Sequence, residues 1–349
     1  MKLLARKSQL SKKPFAKGDV KDASRLVFHI SCFSILFVVF IFFQLFLLGG
    51  FIVFGISQWS LWPQVTDLWA QGRLLDDLHG HPHYYRYMIS LPGLWLGDQL
   101  GSNIGQSLYL SAIVMLNTFI FYSVFKKIFS STYTFFFACS CFFALHFLMN
   151  GRGIFTFCSW LFFSLLVAEV FKVDRFYGVR NFLKVVLLGW LAIFIATVSA
   201  GVFALVYAGL LSLVPVLCKR LTLFRVMLII NIIFMLFWFS DYLFLAFEKN
   251  VNYFGSYLGL FNHGYGGGVG GIIFFGVLLL IIMLVWSFGV FASAGSIQMW
   301  LRLVGMPLLG GALGYSIMAL ALPGMMLLAA KAIERLWDSL RLRLQSVVW

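Results

Sequence analysis

VMLIINIIFMLFWFSDYLFLAF, residues Val226–Phe247, contains a single charged side chain, Asp241, in 22 positions. About 20 helical residues are enough to cross the hydrocarbon core of a membrane. Backbone groups inside lipid must be satisfied within a helix or a closed barrel. The run shows no two-residue alternation, so it predicts a transmembrane helix and not a barrel strand. Asp241 is expected to be buried, because a carboxylate that faces lipid is costly.

The whole chain has the composition of a membrane protein. Of its 349 residues 62% are hydrophobic and 11% are charged, and the mean hydropathy is +0.95, whereas soluble domains are about 45–50% apolar. The fold class predicted is all-α, a polytopic transmembrane helical bundle of about ten spans. The spans are predicted at residues 26–56, 106–125, 133–149, 154–171, 185–199, 202–217, 226–247 and 271–291, with two short ones in 299–332. Glycines and prolines interrupt that last segment, which leaves nine spans as the alternative.

The distribution of charge predicts the orientation and the parts of the chain. Residues 1–25 form a basic tail, residues 26–331 the bundle with a long outer loop at 57–105, and residues 332–349 an amphipathic tail. The net charge is +14, and its Lys and Arg residues concentrate in the two tails and in alternate connections. Because positive connections stay inside, the amino terminus is predicted to be cytoplasmic. This pattern argues against nucleic acid as the partner and for attraction to anionic lipids.

The outer side is predicted to hold most of the informative polar residues, in four places. These are the loop at residues 57–105 and the turns at 150–153, 197–201 and 248–270. The densest stretch is DDLHGHPHYYR, residues 76–86. Its candidate catalytic residues are Asp76, Asp77, His79 and His83, of which a carboxylate or a histidine serves as a base near neutral pH. The alternating histidines also suit a metal site or a solvated loop, but no matching ligand motif occurs elsewhere, so neither a metal nor another cofactor is predicted.

Two arginines are the predicted anion ligands. Arg152 lies between Gly151 and Gly153, and glycine allows close approach of a ligand to the backbone. A guanidinium binds a pyrophosphate through paired hydrogen bonds, although an arginine that reaches a lipid headgroup is the alternative. Arg86 is the second cation, either for a ligand or for a structural pair with Asp76 or Asp77. The remaining candidate binding residues are Tyr85, His146, Asp241, His263 and Tyr265.

Arginines, carboxylates, histidines and aromatic side chains beside a membrane suit a lipid-linked pyrophosphate sugar. The arginines hold the pyrophosphate, a carboxylate or histidine accepts a proton from an acceptor hydroxyl, and aromatic faces stack on sugar rings. Two other classes compete with this interpretation. Broken helices near residues 305–324 suit a transporter or flippase, and a deeply placed histidine, His146, suits a membrane acyltransferase.

The layout resembles a known family. One amino-terminal span, a long outer loop and short-looped spans are similar to membrane glycosyltransferases of the GT-C type, and more narrowly to bacterial polysaccharide or O-antigen polymerases of the Wzy and EpsG kind. The residues that carry the resemblance are Asp76–Arg86, Asn150–Gly153 and Ser199–Phe203. The resemblance implies joining of undecaprenyl-pyrophosphate-linked oligosaccharides, as in lipopolysaccharide synthesis, on the outer face of a bacterial inner membrane. It also implies a polysaccharide-export or chain-length-control protein as a partner.

Overall fold

The structure is a computed structural model, and the described part of the chain is helical. It comprises residues 31, 34–35, 37–39, 42, 62–72, 84–125, 132–146, 151–171, 179–218, 222–253, 255–256 and 320–347. The chain divides into two compact units, Met1–Phe51 and Ile52–Trp349. In the first unit the described residues are helical and belong to the predicted first span. All elements labelled below belong to the second unit.

Ten helices in the second unit are described from end to end, and no strand occurs among the described residues. They are α1 (Trp62–Ala70), α2 (Tyr84–Leu100), α3 (Ser102–Phe125), α4 (Thr132–Leu145), α5 (Gly151–Phe171), α6 (Val179–Ala196), α7 (Ala200–Cys218), α8 (Leu223–Trp238), α9 (Ser240–Tyr253) and α10 (Ala321–Val347). The all-helical class predicted from the sequence is confirmed for this part of the chain.

Four of these helices are long and apolar enough to cross a membrane. They contain the segments Ile104–Phe125, Gly153–Val170, Val179–Ala196 and Ala200–Cys218. A fifth crossing results if α8 and α9, which meet at a bend of 41°, count as one broken span. These helices indicate a membrane-embedded protein. The number of ten spans stays a prediction, because residues 271–291 and most of 26–56 and 299–332 lie outside the described residues.

Helix α8 shows the surface expected of a helix in lipid. Leu223, Ile230 and Phe237 follow one another at every second helical turn and are between 61% and 77% exposed. The opposite face, with Ile232 and Met235, is buried. An apolar stripe of this length on the surface marks contact with another apolar phase, since soluble proteins avoid such patches.

Helix α5 lies at the centre of the described core, and its orientation relative to α6 follows from one hydrogen bond. The Ser159 hydroxyl donates to Ala192 O at 2.7 Å. Ser159 lies about as far before the end of α5 as Ala192 lies after the start of α6. Contacts at equal distance from the connection identify an antiparallel pair. The start of α5 and the end of α6 therefore lie at the same end of the bundle.

Helices α2 and α3 form a hairpin around one residue, Gly101. Its φ is +91°, a conformation that residues with a Cβ rarely adopt. The Tyr109 hydroxyl of α3 donates to Ile89 O of α2 at 2.6 Å, and the Trp69 indole of α1 donates to Asp98 Oδ2 at 3.0 Å. The predicted outer loop at residues 57–105 is thus largely helical in its described part.

Helix α10 runs without interruption from residue 321 to residue 347, across the boundary predicted between the bundle and the carboxy-terminal tail. Its first half packs on α4. Lys331 and Glu334 form an ion pair there, and Glu334 is 3% exposed. Residues 335–340 are exposed. The tail is helical, as its amphipathic pattern predicts, but it continues the preceding apolar segment.

The cysteines agree only in part with a core role. Cys139 and Cys158 are buried, Cys141 is partly buried and Cys218, at the end of α7, is exposed. Cys32 lies outside the described residues. The expectation of small apolar core side chains therefore holds for Cys139 and Cys158 and is wrong for Cys218, because an apolar run alone does not show which face of its helix is buried.

Candidate functional site

Aromatic rings from four helices meet where α2 begins, α6 ends and α8 bends into α9. We call this cluster of Tyr85, Phe194, Phe203, Phe239 and Tyr242 the aromatic junction. The ring centroids of Tyr85 lie 5.2 Å from Tyr242, 5.6 Å from Phe239 and 6.1 Å from Phe194. Phe203 stands edge-on to Tyr242 at 4.9 Å. Such tilted and edge-to-face arrangements are the favoured geometries for aromatic pairs.

The three-residue turn at 197–199, between α6 and α7, lies against the aromatic junction. Thr197, Val198 and Ser199 are at most 5% exposed. Their N–H groups donate to Phe194 O, Ile195 O and Ala196 O, each three residues earlier. The end of α6 therefore has the hydrogen bonding of a 3₁₀ turn. The last carbonyls of a helix have no partner within the helix, and buried carbonyls need one. Donors for the turn must come from other helices.

Arg86 supplies the first of these donors. Its Nη2 donates to Val198 O at 3.0 Å, and its side chain is half-buried. A cation at the carboxyl end of a helix is stabilised by the helix dipole. Asp76 and Asp77, its predicted structural partners, lie outside the described residues. Two of the four predicted outer places, the long loop and the turn at 197–201, are thus joined directly.

Tyr242 supplies the second donor. Its hydroxyl donates to Thr197 O at 2.6 Å, from a helix that is distant in sequence. On the other side of Phe203, the Tyr207 hydroxyl donates to Leu236 O at 3.1 Å, in the last turn of α8. Both tyrosines therefore bind carbonyls at helix ends. Tyr207 thus holds the end of α8 and Tyr242 holds the start of α9, while Phe239 between them is 2% exposed.

Asp241 lies in the first turn of α9, next to Tyr242. Its side chain is exposed, so the expectation that it is buried is wrong. Asp241 belongs to α9, beyond the 41° bend that follows α8, and an apolar run in sequence conceals both the bend and the exposure. Burial raises the pKa of the nearby Tyr85 hydroxyl, and Tyr84 and Asp241 raise it further. Asp241 directly precedes Tyr242, whose ring contacts Tyr85, so Asp241 lies beside the aromatic junction.

His146 occupies a different setting, in the core between α3, α4 and α5. It is fully buried. Asn117 Nδ2 lies 3.1 Å from His146 Nε2 and donates to Ile154 O at 3.0 Å. Because Nδ2 can only donate, Nε2 accepts and Nδ1 carries the hydrogen that goes to Phe142 O at 3.0 Å. Both ring nitrogens therefore have protein partners, an arrangement typical of a packing residue; the predicted binding role stays a prediction.

Arg152 is the second residue of α5, and its side chain lies outside the described part of the structure. Its backbone position is nevertheless informative. The start of α5 and the end of α6 lie at the same end of the bundle, so Arg152 lies at the same end as the turn that binds Arg86. The prediction that both arginines face one side of the membrane is consistent with this placement.

Six predicted site residues lie outside the described residues: Asp76, Asp77, His79, His83, His263 and Tyr265. Their roles stay predictions. Within the described ranges, no three His, Cys, Asp or Glu side chains form a group that could hold a metal ion.

Sequence reasoning missed Asn117, Tyr207 and Tyr242. Asn117 is fully buried, and its Oδ1 has no hydrogen-bond partner among the described residues. An amide inside an apolar run is a signal that could have been used, since such groups mark helix contacts in membranes. The two tyrosines gave no comparable signal, because the carbonyls that they bind belong to the backbone.

The comparisons with known proteins give no family for this chain. No protein-family model matches it, and neither a curated protein nor a solved structure is significantly similar to it.

Proposed function

We propose that the protein is a membrane glycosyltransferase that joins undecaprenyl-pyrophosphate-linked oligosaccharides, as a polysaccharide polymerase does. The proposal places this reaction on the outer face of a bacterial inner membrane, with a cytoplasmic amino terminus. Support comes from one observation above all. Arg86 and Tyr85, both predicted as binding residues, meet the turn at 197–199 and Tyr242, the neighbour of the predicted residue Asp241, although most of the bundle separates Arg86 from Asp241 in sequence.

The chemistry of these groups suits displacement of a pyrophosphate. A guanidinium has five N–H donors, so a bond to Val198 O is compatible with contact to an anion, and Arg152 at the same end provides a second cation. An acceptor hydroxyl attacks the anomeric carbon, the new C–O bond forms, and the bond to the pyrophosphate oxygen breaks with its electron pair. The hydroxyl proton passes to a carboxylate, for which Asp241 is the described candidate beside Asp76 and Asp77. This direct displacement inverts the anomeric centre.

The experiment is product analysis with purified protein in lipid. Undecaprenyl-pyrophosphate-linked oligosaccharide is supplied, and products are resolved by size. We expect a ladder of longer glycans that is reduced at least about 100-fold in Arg86→Lys and in Arg152→Lys, because lysine lacks the paired donors of the guanidinium.

Arg225→Lys is the matched control. Arg225 lies in the first turn of α8. Tyr207 and Leu236 are joined by a hydrogen bond, and Tyr207 lies about as far before the end of α7 as Leu236 lies after the start of α8. The two helices are therefore antiparallel, and Arg225 lies at the end opposite to Arg86. The control should retain the ladder. Absence of a ladder from folded wild-type protein contradicts the proposal.

A transporter or flippase for the same lipid is the second candidate. The observation that favours it is the 41° break between α8 and α9, since discontinuous helices line the sites of many transporters. It predicts movement of the lipid across vesicles without a new glycosidic bond. A membrane acyltransferase has less support, because both ring nitrogens of His146 are bonded to protein groups.

A further inference from the structure

We infer that Tyr242 is a positioning residue, which fixes the carboxylate of Asp241 relative to the guanidinium of Arg86 through the turn at 197–199. This inference rests on the proposed function. It adds a residue that sequence reasoning did not identify and assigns the turn the role of a template for the site.

The geometry of the turn carries the inference. Thr197 O accepts from Tyr242 at 2.6 Å, and Val198 O, one residue later, accepts from Arg86 at 3.0 Å. Consecutive carbonyls of one rigid turn therefore hold side chains from α9 and α2. Because all three turn residues are at most 5% exposed, the turn has little freedom to move.

The surrounding rings fix the direction of the Tyr242 side chain. Tyr242 is edge-on to Tyr85 at 5.2 Å and to Phe203 at 4.9 Å. Tyr85 directly precedes Arg86, and Asp241 directly precedes Tyr242. The contact between the two tyrosines therefore brings the start of α2, with Arg86, next to the start of α9, with Asp241. A shift of α9 at its first turn moves the carboxylate and leaves the guanidinium in place.

The consequence is a specific kinetic change when the hydroxyl is removed. Positioning errors of about 1 Å can lower a rate by about 100-fold even when they arise away from the reacting atoms. Arg86 keeps its own bond to the turn, so binding of the lipid-linked donor is retained. Loss of the Tyr242 hydroxyl should therefore lower kcat about tenfold and change the KM for the donor less than about twofold.

The test compares two tyrosines that differ in what they hold. Tyr242→Phe removes the bond to the turn. Tyr207→Phe removes a similar bond between a tyrosine hydroxyl and a backbone carbonyl, on the other side of Phe203, and serves as the matched control. Steady-state kinetics are measured with purified protein in lipid and the oligosaccharide donor. We expect kcat to fall in Tyr242→Phe only and to recover in Tyr242→4-aminophenylalanine, which restores a donor on a ring of the same shape.

Each outcome has one meaning. Equal effects of Tyr242→Phe and Tyr207→Phe in an active wild type, or a fall in kcat that 4-aminophenylalanine does not reverse, overturn the positioning role alone. Folding of each variant is checked by size-exclusion chromatography. If Tyr242→Phe elutes differently from the wild type, it is replaced by Tyr242→4-fluorophenylalanine. This variant keeps the length of the side chain and lacks the hydroxyl donor. A wild type that forms no glycosidic product overturns the proposed function and this inference together.

Discussion

The aromatic junction and the Asn117–His146 pair both supply hydrogen-bond donors to buried backbone carbonyls, but they differ in how far their polar groups are exposed. Both satisfy backbone carbonyls with side chains from other segments, as buried polar groups require. At the junction one donor, Arg86, is only half-buried, and Asp241, next to the other donor, is exposed. The Asn117–His146 pair is sealed, and both residues are fully buried. The difference separates polar groups that hold helices together from polar groups that do so and can also meet a ligand.

The largest effect should come from the exposed carboxylate of the junction. Asp241→Asn removes a negative charge without changing the shape of the side chain, and we expect product formation to fall about 100-fold. The thermal unfolding midpoint should stay unchanged, because the side chain is exposed. Glu248→Gln, on the same helix and also exposed, is the control and should retain activity. Equal loss in both variants would place the catalytic carboxylate elsewhere.

The buried Asn117–His146 pair should affect stability and not activity. Asn117→Ala removes the donors of Ile154 O and His146 Nε2, and each buried group left without a partner costs about 1–3 kcal/mol of unfolding free energy. Activity per folded molecule should be unaffected. Thr118→Ala is the control, since its buried hydroxyl donates to Val114 O within the same helix and should matter less. Reversible unfolding in detergent measures both; a loss of activity without a loss of stability would assign the pair a direct role.

The smallest effect concerns pH and the Tyr85 hydroxyl. Its pKa is raised above the ordinary 10.0, first by burial and then by Tyr84 and Asp241. A raised pKa means that the fold favours the neutral phenol, so this contribution is complete below about pH 10 and is lost as pH rises through the folded-state pKa. The wild type should therefore lose more stability above about pH 10 than Tyr85→Phe does. Unfolding midpoints measured across that range check it, and parallel curves would contradict it.

Hydropathy predicted the helices that depend on long apolar runs. The predicted spans at 106–125, 154–171 and 202–217 correspond to α3, α5 and α7. Each predicted end lies within about four residues of the observed end. The run Val226–Phe247 was predicted as one span, but it bends at Phe239. No Gly or Pro marks this position, and the bend is packed against Tyr85 and Phe203, which are distant in sequence.

The sequence predicted which residues belong to the candidate site, but it did not predict which groups they contact. Arg86, Tyr85 and Asp241 stood out because charge and aromatic groups at span ends carry chemistry. Their meeting point could not be foreseen, because it is made of the carbonyls of Thr197 and Val198, and every residue has a carbonyl. The exposure of Asp241 was also beyond the pattern, since a continuous apolar run does not show which side of a helix faces the protein.

The turn at 197–199 has a consequence for how the chain is made. One of its donors, Arg86, is synthesised long before the turn, and the other, Tyr242, is synthesised after it. Synthesis adds about 5–20 residues per second, so Thr197 O waits about 2–9 s for its donor after leaving the ribosome's catalytic centre. During that interval α6 and α7 can enter the membrane as a hairpin with one carbonyl still open to water or to an insertase. The end of the bundle that holds Arg86 is therefore completed late, by α9.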